Sequence, residues 1–322
     1  MTAVGLAELE RAERIVREVM PPTPAHAWPL LAERCGCEVR VKHENHTPVG
    51  AFKLRGGLVY FRHLADRGHA GPGVITATRG NHGQSVAFAA RRSGLRAVIV
   101  VPQGNSVEKN AAMRALGAEL IEHGHDFQAA YEFAVAKAAE EGLHLLPSFH
   151  PLLVAGVGTY ALELFRQVAD LDTAYVPIGL GSGICGLIAA RDALRLGTKI
   201  VGVVAEGAPA YALSFAEGRP VSTDRADTLA DGMACRVPAP EAVEIILRGA
   251  DRIVTVSDAE IAAAMRHYFT DTHNVAEGAG AAPLAALLQE REAMRGHRVG
   301  LILSGGNVDL PVYRRILAGA DG

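Results

Sequence analysis

From Gly71-Pro-Gly73 to its end, the chain alternates short apolar runs with segments of helical periodicity. The runs are Val74-Ile-Thr-Ala-Thr78, Ala97-Val-Ile-Val-Val101, Ala118-Glu-Leu-Ile121, Ala174-Tyr-Val-Pro-Ile178, Ile200-Val-Gly-Val-Val204, Ile253-Val-Thr-Val256 and Val299-Gly-Leu-Ile-Leu303. Continuous runs of this kind suit strands covered on both faces. Their alternation with helices predicts parallel sheets flanked by helices. They are more than one modest sheet needs, and 322 residues are too many for one small core. The expectation is an α/β chain of two doubly wound domains. The smaller would cover residues 54–149, and the larger residues 1–53 with 150–322. Pro147-Ser-Phe-His-Pro151 is the expected crossing point. Upstream, apolar spacing predicts a helix over residues 6–20, ended by Pro21-Pro22. Val39-Arg-Val-Lys-His43 alternates like a strand, and a helix is expected over residues 53–66.

Composition limits the function classes. Hydrophobic residues make up 49% and charged residues 21%, which is ordinary for a globular protein. The net charge is −3 with no basic block, so nucleic acid is not the expected partner. No apolar run reaches membrane-spanning length. The first ten residues carry acids where a secretory signal would carry bases and an apolar core, so the expected location is cytoplasmic. Cys35 and Cys37 form no C-x-x-C pair, and Cys185 and Cys235 stand alone. This pattern signals neither a zinc site nor a disulfide framework.

One stretch stands out chemically: His43-Glu-Asn-His-Thr-Pro-Val-Gly-Ala-Phe-Lys-Leu-Arg-Gly-Gly57. Lys53 lies between Phe52 and Leu54, where desolvation would lower its pKa and free a nucleophilic amine. The plainer alternative is a lysine whose stem lies on the core while its head reaches water.

In parallel sheets, ligands bind at the carboxyl ends of strands, often between domains. Three loops occupy such places. Thr78-Arg-Gly-Asn-His-Gly-Gln84 turns a strand into a helix, whose free N–H groups and positive dipole end favour an anion such as a carboxylate. Asn81 could equally be a plain N-cap and His82 a core or surface histidine. Gly179-Leu-Gly-Ser-Gly-Ile-Cys-Gly186 has more glycines than a tight turn requires and suggests a phosphate cradle. Within it, Gly181-Ser-Gly-Ile-Cys-Gly186 also fits G-x-G-x-x-G, with Glu206 after the next strand as a possible ribose partner. Ser304-Gly-Gly-Asn307 puts a serine hydroxyl at a strand end, or forms only a turn.

Taken together, these stretches resemble the fold-type II pyridoxal-phosphate enzymes, tryptophan synthase β-like, and within them the serine/threonine dehydratase and serine racemase family. Asn45-His-Thr-Pro-Val-Gly-Ala-Phe-Lys-Leu-Arg-Gly56 resembles the lysine motif, and Gly80-Asn-His-Gly-Gln84 the S-x-G-N-H-x-Q loop. Residues 179–183 stand in place of the glycine-rich phosphate loop. Glu277-Gly-Ala-Gly-Ala-Ala282 resembles E-P-S-G-A-A, and Ser304-Gly-Gly-Asn307 resembles S-G-G-N. The order and spacing match across nearly the whole chain.

The resemblance implies pyridoxal 5'-phosphate in a cleft between two domains. Lys53 would hold the cofactor as a Schiff base and move the α-proton. Phe52 would pack beside the ring, and Asn81 would bond the ring hydroxyl. Gly179, Leu180, Gly181, Ser182 and Gly183 would bind the phosphate, and Ser304 would meet the pyridine nitrogen. Thr78, Gly80, Asn81 and His82 would cradle the substrate carboxylate. The implied reaction removes water and then ammonia from a β-hydroxy α-amino acid of the threonine or serine type, giving a 2-oxo acid. A substrate such as 3-hydroxyaspartate, a bulkier β-hydroxy amino acid or a hydroxylated diamino acid is the alternative. A homodimer is implied as well.

Two departures qualify the resemblance. Arg79 stands where family racemases have a serine, so elimination without racemisation is expected. Arg79 either pairs with an acid of the protein or faces the pocket and binds a polar or anionic substrate group. The family's cation site is matched by Glu206, but Ala210 and Ala212 follow, so no metal is expected. Little chain follows Ser304, so no C-terminal regulatory domain is expected. The rival readings are a nicotinamide-dependent oxidoreductase and a non-catalytic amino-acid-binding protein. The first leaves Lys53, Asn81 and Ser304 without roles, and the intact Lys53 argues against the second.

Overall fold

The structure, a computed structural model, describes residues 4–68, 71–168 and 170–320. Its strands are β1 (Ala25–Ala27), β2 (Glu38–His43), β3 (Val74–Ala77), β4 (Ala97–Val101), β5 (Glu119–Glu122), β6 (His144–Leu145), β7 (Thr173–Pro177), β8 (Lys199–Ala205), β9 (Arg252–Val256) and β10 (Arg298–Leu303). They form two sheets. One has six strands in the order β1-β2-β10-β7-β8-β9, and the other has four in the order β5-β4-β3-β6. Every pairing is parallel except β1 with β2. Each apolar run noted in the sequence falls on a strand. Strands β1 and β6 were not expected, since they have three and two residues and no apolar run.

The helices are α1 (Leu6–Arg17), α2 (Pro29–Cys35), α3 (Lys53–Asp66), α4 (Asn81–Arg92), α5 (Val107–Ala115), α6 (Phe127–Glu141), α7 (Pro151–Gln167), α8 (Ser182–Ala193), α9 (Ala210–Glu217), α10 (Pro240–Gly249), α11 (Asp258–Thr272), α12 (Gly278–Gln289) and α13 (Leu310–Leu317). Strands β3, β4 and β7 are buried along their whole length, as their unbroken apolar composition requires. The first helix ends at Arg17, three residues short of the expected end. No described helix is long and apolar enough to cross a membrane.

Helix α7 sets the geometry of the site. Pro151 starts it at a position where the missing N–H costs nothing, and His150 Nδ1 accepts the Leu152 N–H at 3.1 Å. Nearly all its residues beyond the first turn are buried, because it packs against both α3 and α8. Small residues allow those contacts. A Cβ on Gly156 would come within 2.5 Å of the Arg55 carbonyl on α3. A Cβ on Gly186 of α8 would lie 2.8 Å from the Gly158 nitrogen. The close packing draws the first residue of α3, Lys53, to the first residue of α8, Ser182.

A buried charge cluster holds α3 in place. The Arg55 guanidinium donates to Glu44 Oε1 and Oε2 at 2.9 and 2.7 Å, and to Glu163 Oε1 and Oε2 at 2.7 and 2.8 Å. Lys42 Nζ donates to Glu163 Oε2 at 2.7 Å and to the Thr23 carbonyl at 2.6 Å. Arg55, Lys42 and Glu44 are fully buried. Burial opposes ionisation of Glu163, but Arg55 and Lys42 outweigh it and bring its pKa down to about 2. Such a cluster adds little net stability over an apolar one, but losing one partner leaves an uncompensated buried charge. Its effect here is to fix the position of the helix that begins at Lys53.

Candidate active site

Strands β3, β7 and β10 deliver the three loops from their carboxyl ends. The lysine segment is tied directly to the loop after β10. Ala51 forms an antiparallel bridge with Gly305, and the Phe52 N–H donates to the Ser304 carbonyl at 3.0 Å. Lys53 and Ser304 are therefore held together by backbone bonds. Ser304 is buried, and its hydroxyl has no hydrogen-bond partner among the described residues.

The chain has five lysines, and their surroundings separate them. Lys42 pairs with Glu163, Lys109 with Asp231, Lys137 with Glu141, and Lys199 with Asp251. Lys53 has no carboxylate partner among the described residues. Its Nζ donates to Ser182 Oγ at 3.0 Å and lies 5.1 Å from the centre of the Phe52 ring. Burial without a counter-charge lowers its pKa to about 8. The Ser85 hydroxyl donates to the Lys53 carbonyl at 2.7 Å, which fixes the start of the helix.

Residues 179–183 form the turn into α8. Gly181 is left-handed, with φ of +97°, and a Cβ there would meet the Ala242 methyl at 2.7 Å. Both features call for glycine. Two tyrosines brace the loop from behind. Tyr160 donates to the Gly183 carbonyl and Tyr211 to the Leu180 carbonyl, each at 2.9 Å. The first N–H groups of α8 have no intrahelical acceptor, so the loop presents donors and a positive dipole end beside Lys53.

The turn from β3 into α4 is closed by Thr78, whose Oγ1 accepts the N–H groups of Gly80 at 3.0 Å and Gly83 at 3.3 Å. Asn81 opens α4 without capping it; the N-cap is Gly80. Its amide nitrogen donates to Glu277 Oε1 at 2.6 Å, and its Oδ1 accepts from Asn307 Nδ2 at 2.9 Å. One N–H of that amide therefore remains for a ligand. His82 Nε2 is buried without a partner. Burial, helped by the Lys53 charge, lowers its pKa to about 3, so the ring is neutral. Arg79 is exposed and makes no hydrogen bond or ion pair among the described residues. Of the two alternatives for Arg79, pairing with a protein acid is not seen among the described residues.

Several contributors were not singled out as site residues in the sequence. Glu277 was noted only as part of a motif, yet it is buried and holds Asn81. Lys109 Nζ lies 2.7 Å from Asp231 Oδ2 and 3.2 Å from Glu277 Oε2. Burial opposes the Lys109 charge, but Glu277 and Asp231 outweigh it and raise the pKa. This chain of charges joins α5, which packs on the four-stranded sheet, to segments next to the six-stranded one. Asn307, which donates to Asn81, and Tyr160 and Tyr211, which brace the turn into α8, contribute as well. Glu277 and Asn307 lay within sequence motifs, but no pattern showed the contacts of any of these residues, which form only through the fold.

The arrangement is an uncharged or readily discharged amine beside an anion-binding helix start, with an unpaired serine hydroxyl and a neutral histidine nearby. A family model described as pyridoxal-phosphate dependent enzyme matches residues 16–305. The chain is 34% identical over 315 residues to an L-threonine ammonia-lyase of Thermotoga maritima, covering 98% of this chain and 78% of that one. It is 34% identical over 311 residues to an L-threo-3-hydroxyaspartate ammonia-lyase of Saccharomyces cerevisiae, covering 96% and 95%. It spans 59% of the length of the biosynthetic threonine dehydratases of Escherichia coli and Salmonella typhimurium. Among solved structures, the processed form of threonine deaminase isoform 2 from Solanum lycopersicum superposes with a TM-score of 0.88 at 30% identity, covering 99% of this chain and 96% of that one.

The residues present fit pyridoxal phosphate. An aldehyde needs an amine free of ion pairs, and Lys53 is one. A phosphate needs unpaired donors at a helix start, and residues 181–183 supply them. A pyridine nitrogen needs a hydroxyl without another partner, and Ser304 has one.

Proposed function

The chain belongs to the pyridoxal-phosphate-dependent enzymes, and from that premise we propose that it is an ammonia-lyase of the threonine/serine dehydratase type. It takes water and then ammonia from a β-hydroxy α-amino acid and leaves a 2-oxo acid. The observation that carries this reading is Lys53, the lysine without a carboxylate partner, placed against the start of α8. Pyridoxal phosphate, when bound, draws electron density from the substrate's α-carbon and makes its proton removable.

Lys53 would hold the cofactor and, as a free amine, would take the substrate's α-proton on Nζ. A lowered pKa keeps a usable fraction of that amine unprotonated near neutral pH. Phe52 covers one side of the amine. Residues 179–183 would hold the phosphate, with backbone N–H groups and the Ser182 hydroxyl as donors. Ser304 would meet the ring nitrogen of the bound cofactor, and its neutral hydroxyl, unlike a carboxylate, would not hold a proton there. Asn81, steered by Glu277 and Asn307, would offer its remaining N–H to the ring hydroxyl. Thr78, Gly80, Asn81 and His82 surround the place for the substrate carboxylate at the start of α4. Residues 1–53 with 150–322 would form the cofactor-binding domain, and residues 54–149 the domain that takes the carboxylate. The reading extends to a cytoplasmic homodimer, which light scattering and cell fractionation test.

A second reading concerns the substrate side chain. Arg79 sits next to the carboxylate turn, exposed and without a protein partner among the described residues. A guanidinium so placed suits a second carboxylate, as in 3-hydroxyaspartate. The experiment for both readings is direct. The purified chain with pyridoxal phosphate should show a visible absorbance band that shifts on adding threonine, serine or 3-hydroxyaspartate, with release of 2-oxo acid. No band, or a band with no product from any of the three, would remove the proposal.

A further inference from the structure

Ser182 is placed oddly for a serine at a helix start. At three other helix starts such residues cap their helices. Ser106, Asp126 and Ser257 each accept an N–H three residues on, from Lys109, Ala129 and Glu260. Ser182 lies one position later than a cap. The N-cap of α8 is Gly181, and no side chain caps that helix. The Ser182 hydroxyl is therefore not spent on the helix. It is buried, 2% exposed, and its oxygen accepts from Lys53 Nζ at 3.0 Å.

What surrounds Lys53 makes that contact matter. The ionisable group facing it from α4 is His82, which is neutral. From its own helix, the Arg55 guanidinium turns away to Glu44 and Glu163. On the α8 side, the polar group that reaches it is the Ser182 hydroxyl. No carboxylate pairs with it among the described residues. We propose that Ser182 is a positioning residue for the Lys53 amine, holding one N–H so that the nitrogen lone pair keeps a fixed direction. This rests on the reading of Lys53 as the reactive amine. The hydroxyl keeps its own proton, which it can donate to an anion held by residues 179–183. Donation in one direction strengthens acceptance in the other. The same serine then couples an occupied phosphate loop to a correctly aimed lysine.

The hydroxyl stabilises the ammonium more than the amine, since a hydrogen bond to a charged group is the stronger kind. Removing it should lower the Lys53 pKa further while loosening the side chain. The test is trace acetylation of the full chain, freed of cofactor, with acetic anhydride from pH 6 to 11. Mass spectrometry of the Lys53 peptide gives the titration midpoint. In Ser182→Ala the midpoint should fall by about one pH unit. In Ser182→Thr, which keeps the hydroxyl, it should stay within about 0.3 unit of wild type. With cofactor bound, kcat of Ser182→Ala should drop several-fold, with its acidic limb moved the same way and KM nearly unchanged. Should Ser182→Ala prove poorly folded by circular dichroism, Ser182→Cys, whose thiol accepts weakly, replaces it and should shift likewise. An unchanged midpoint in the folded Ala or Cys variant, or an equal shift in Ser182→Thr, would overturn the proposal. Failure of the wild type to bind pyridoxal phosphate would instead count against the functional reading, since acetylation reports the Ser182 contact without cofactor.

Discussion

Lys53 should capture pyridoxal phosphate with a rate that rises with pH and levels off near pH 8. The perturbation is pH alone. Capture of an aldehyde needs the neutral amine, and burial without a counter-charge brings the Lys53 pKa down to about 8. At pH 7, about one Lys53 in eleven is then neutral, against about one in 2,500 for a solvated lysine, an advantage of roughly 200-fold. From pH 6 to 7 the rate should climb about ten-fold, and from pH 9 to 10 by less than about 1.2-fold. The assay mixes cofactor-free chain with pyridoxal phosphate, quenches timed samples with borohydride, and counts pyridoxyl groups on each lysine peptide by mass spectrometry. Only five lysines compete: the Lys109 charge is held by Glu277 and Asp231, and Lys42, although burial lowers its pKa, is fully buried against Glu163 and out of the cofactor's reach. Label should therefore collect on Lys53, with slow background on Lys137 and Lys199. Two results would refute the reasoning. A rate that keeps climbing ten-fold per unit through pH 10 would mean that Lys53 is solvated like any other lysine. Label gathering on another lysine would mean that the amine chemistry lies elsewhere.

Other expectations follow from the same geometry. Lys53→Ala should abolish 2-oxo acid formation while leaving the thermal unfolding transition nearly in place. Arg79→Ser should lose activity on 3-hydroxyaspartate about ten-fold more than on threonine, the worth of one charge-assisted contact; equal losses would remove the guanidinium from the specificity argument. The same enzyme with Arg79 intact should eliminate water from serine without racemising it, measured by chiral chromatography. Glu163→Ala leaves Arg55 and Lys42 short of a partner in a dry site and should destabilise the chain by about 3–5 kcal/mol in urea unfolding. The wild type carries the matching pH signature. With a folded pKa of about 2, Glu163 contributes stability present above its unfolded value and lost as pH falls from about 4.5 toward 2. That loss should shrink in Glu163→Gln. Gly181→Ala should weaken cofactor binding at least ten-fold in an absorbance titration, because a left-handed residue and a 2.7 Å contact with Ala242 both have to be relieved.

Much of the architecture could be read in advance. A parallel strand buried on both faces needs an unbroken apolar run, and a helix leaves its own periodicity, so β3, β4 and α3 announce themselves locally. The anion-binding turns were also legible, because glycine after a strand and before a helix answers a local steric demand, as at Gly181. Lys53 stood out by its apolar neighbours. Strands β1 and β6 could not be read, since three or two residues carry no period and take their form from a neighbouring strand.

What only the tertiary structure decided is who meets whom. That Lys53 touches Ser182, 129 positions away, depends on α7 packing closely against both α3 and α8. That Glu277 orients Asn81, and that Lys109 balances Glu277 against Asp231, depends on side chains carried by loops and helices far apart in the chain. The sequence also left open whether Arg79 would find an acid; the fold leaves its guanidinium exposed and unpaired among the described residues. Local sequence determines backbone form because sterics and periodicity act over a few residues. The partner of a charge or a hydroxyl is set by burial and distance, and both exist only once the helices have packed.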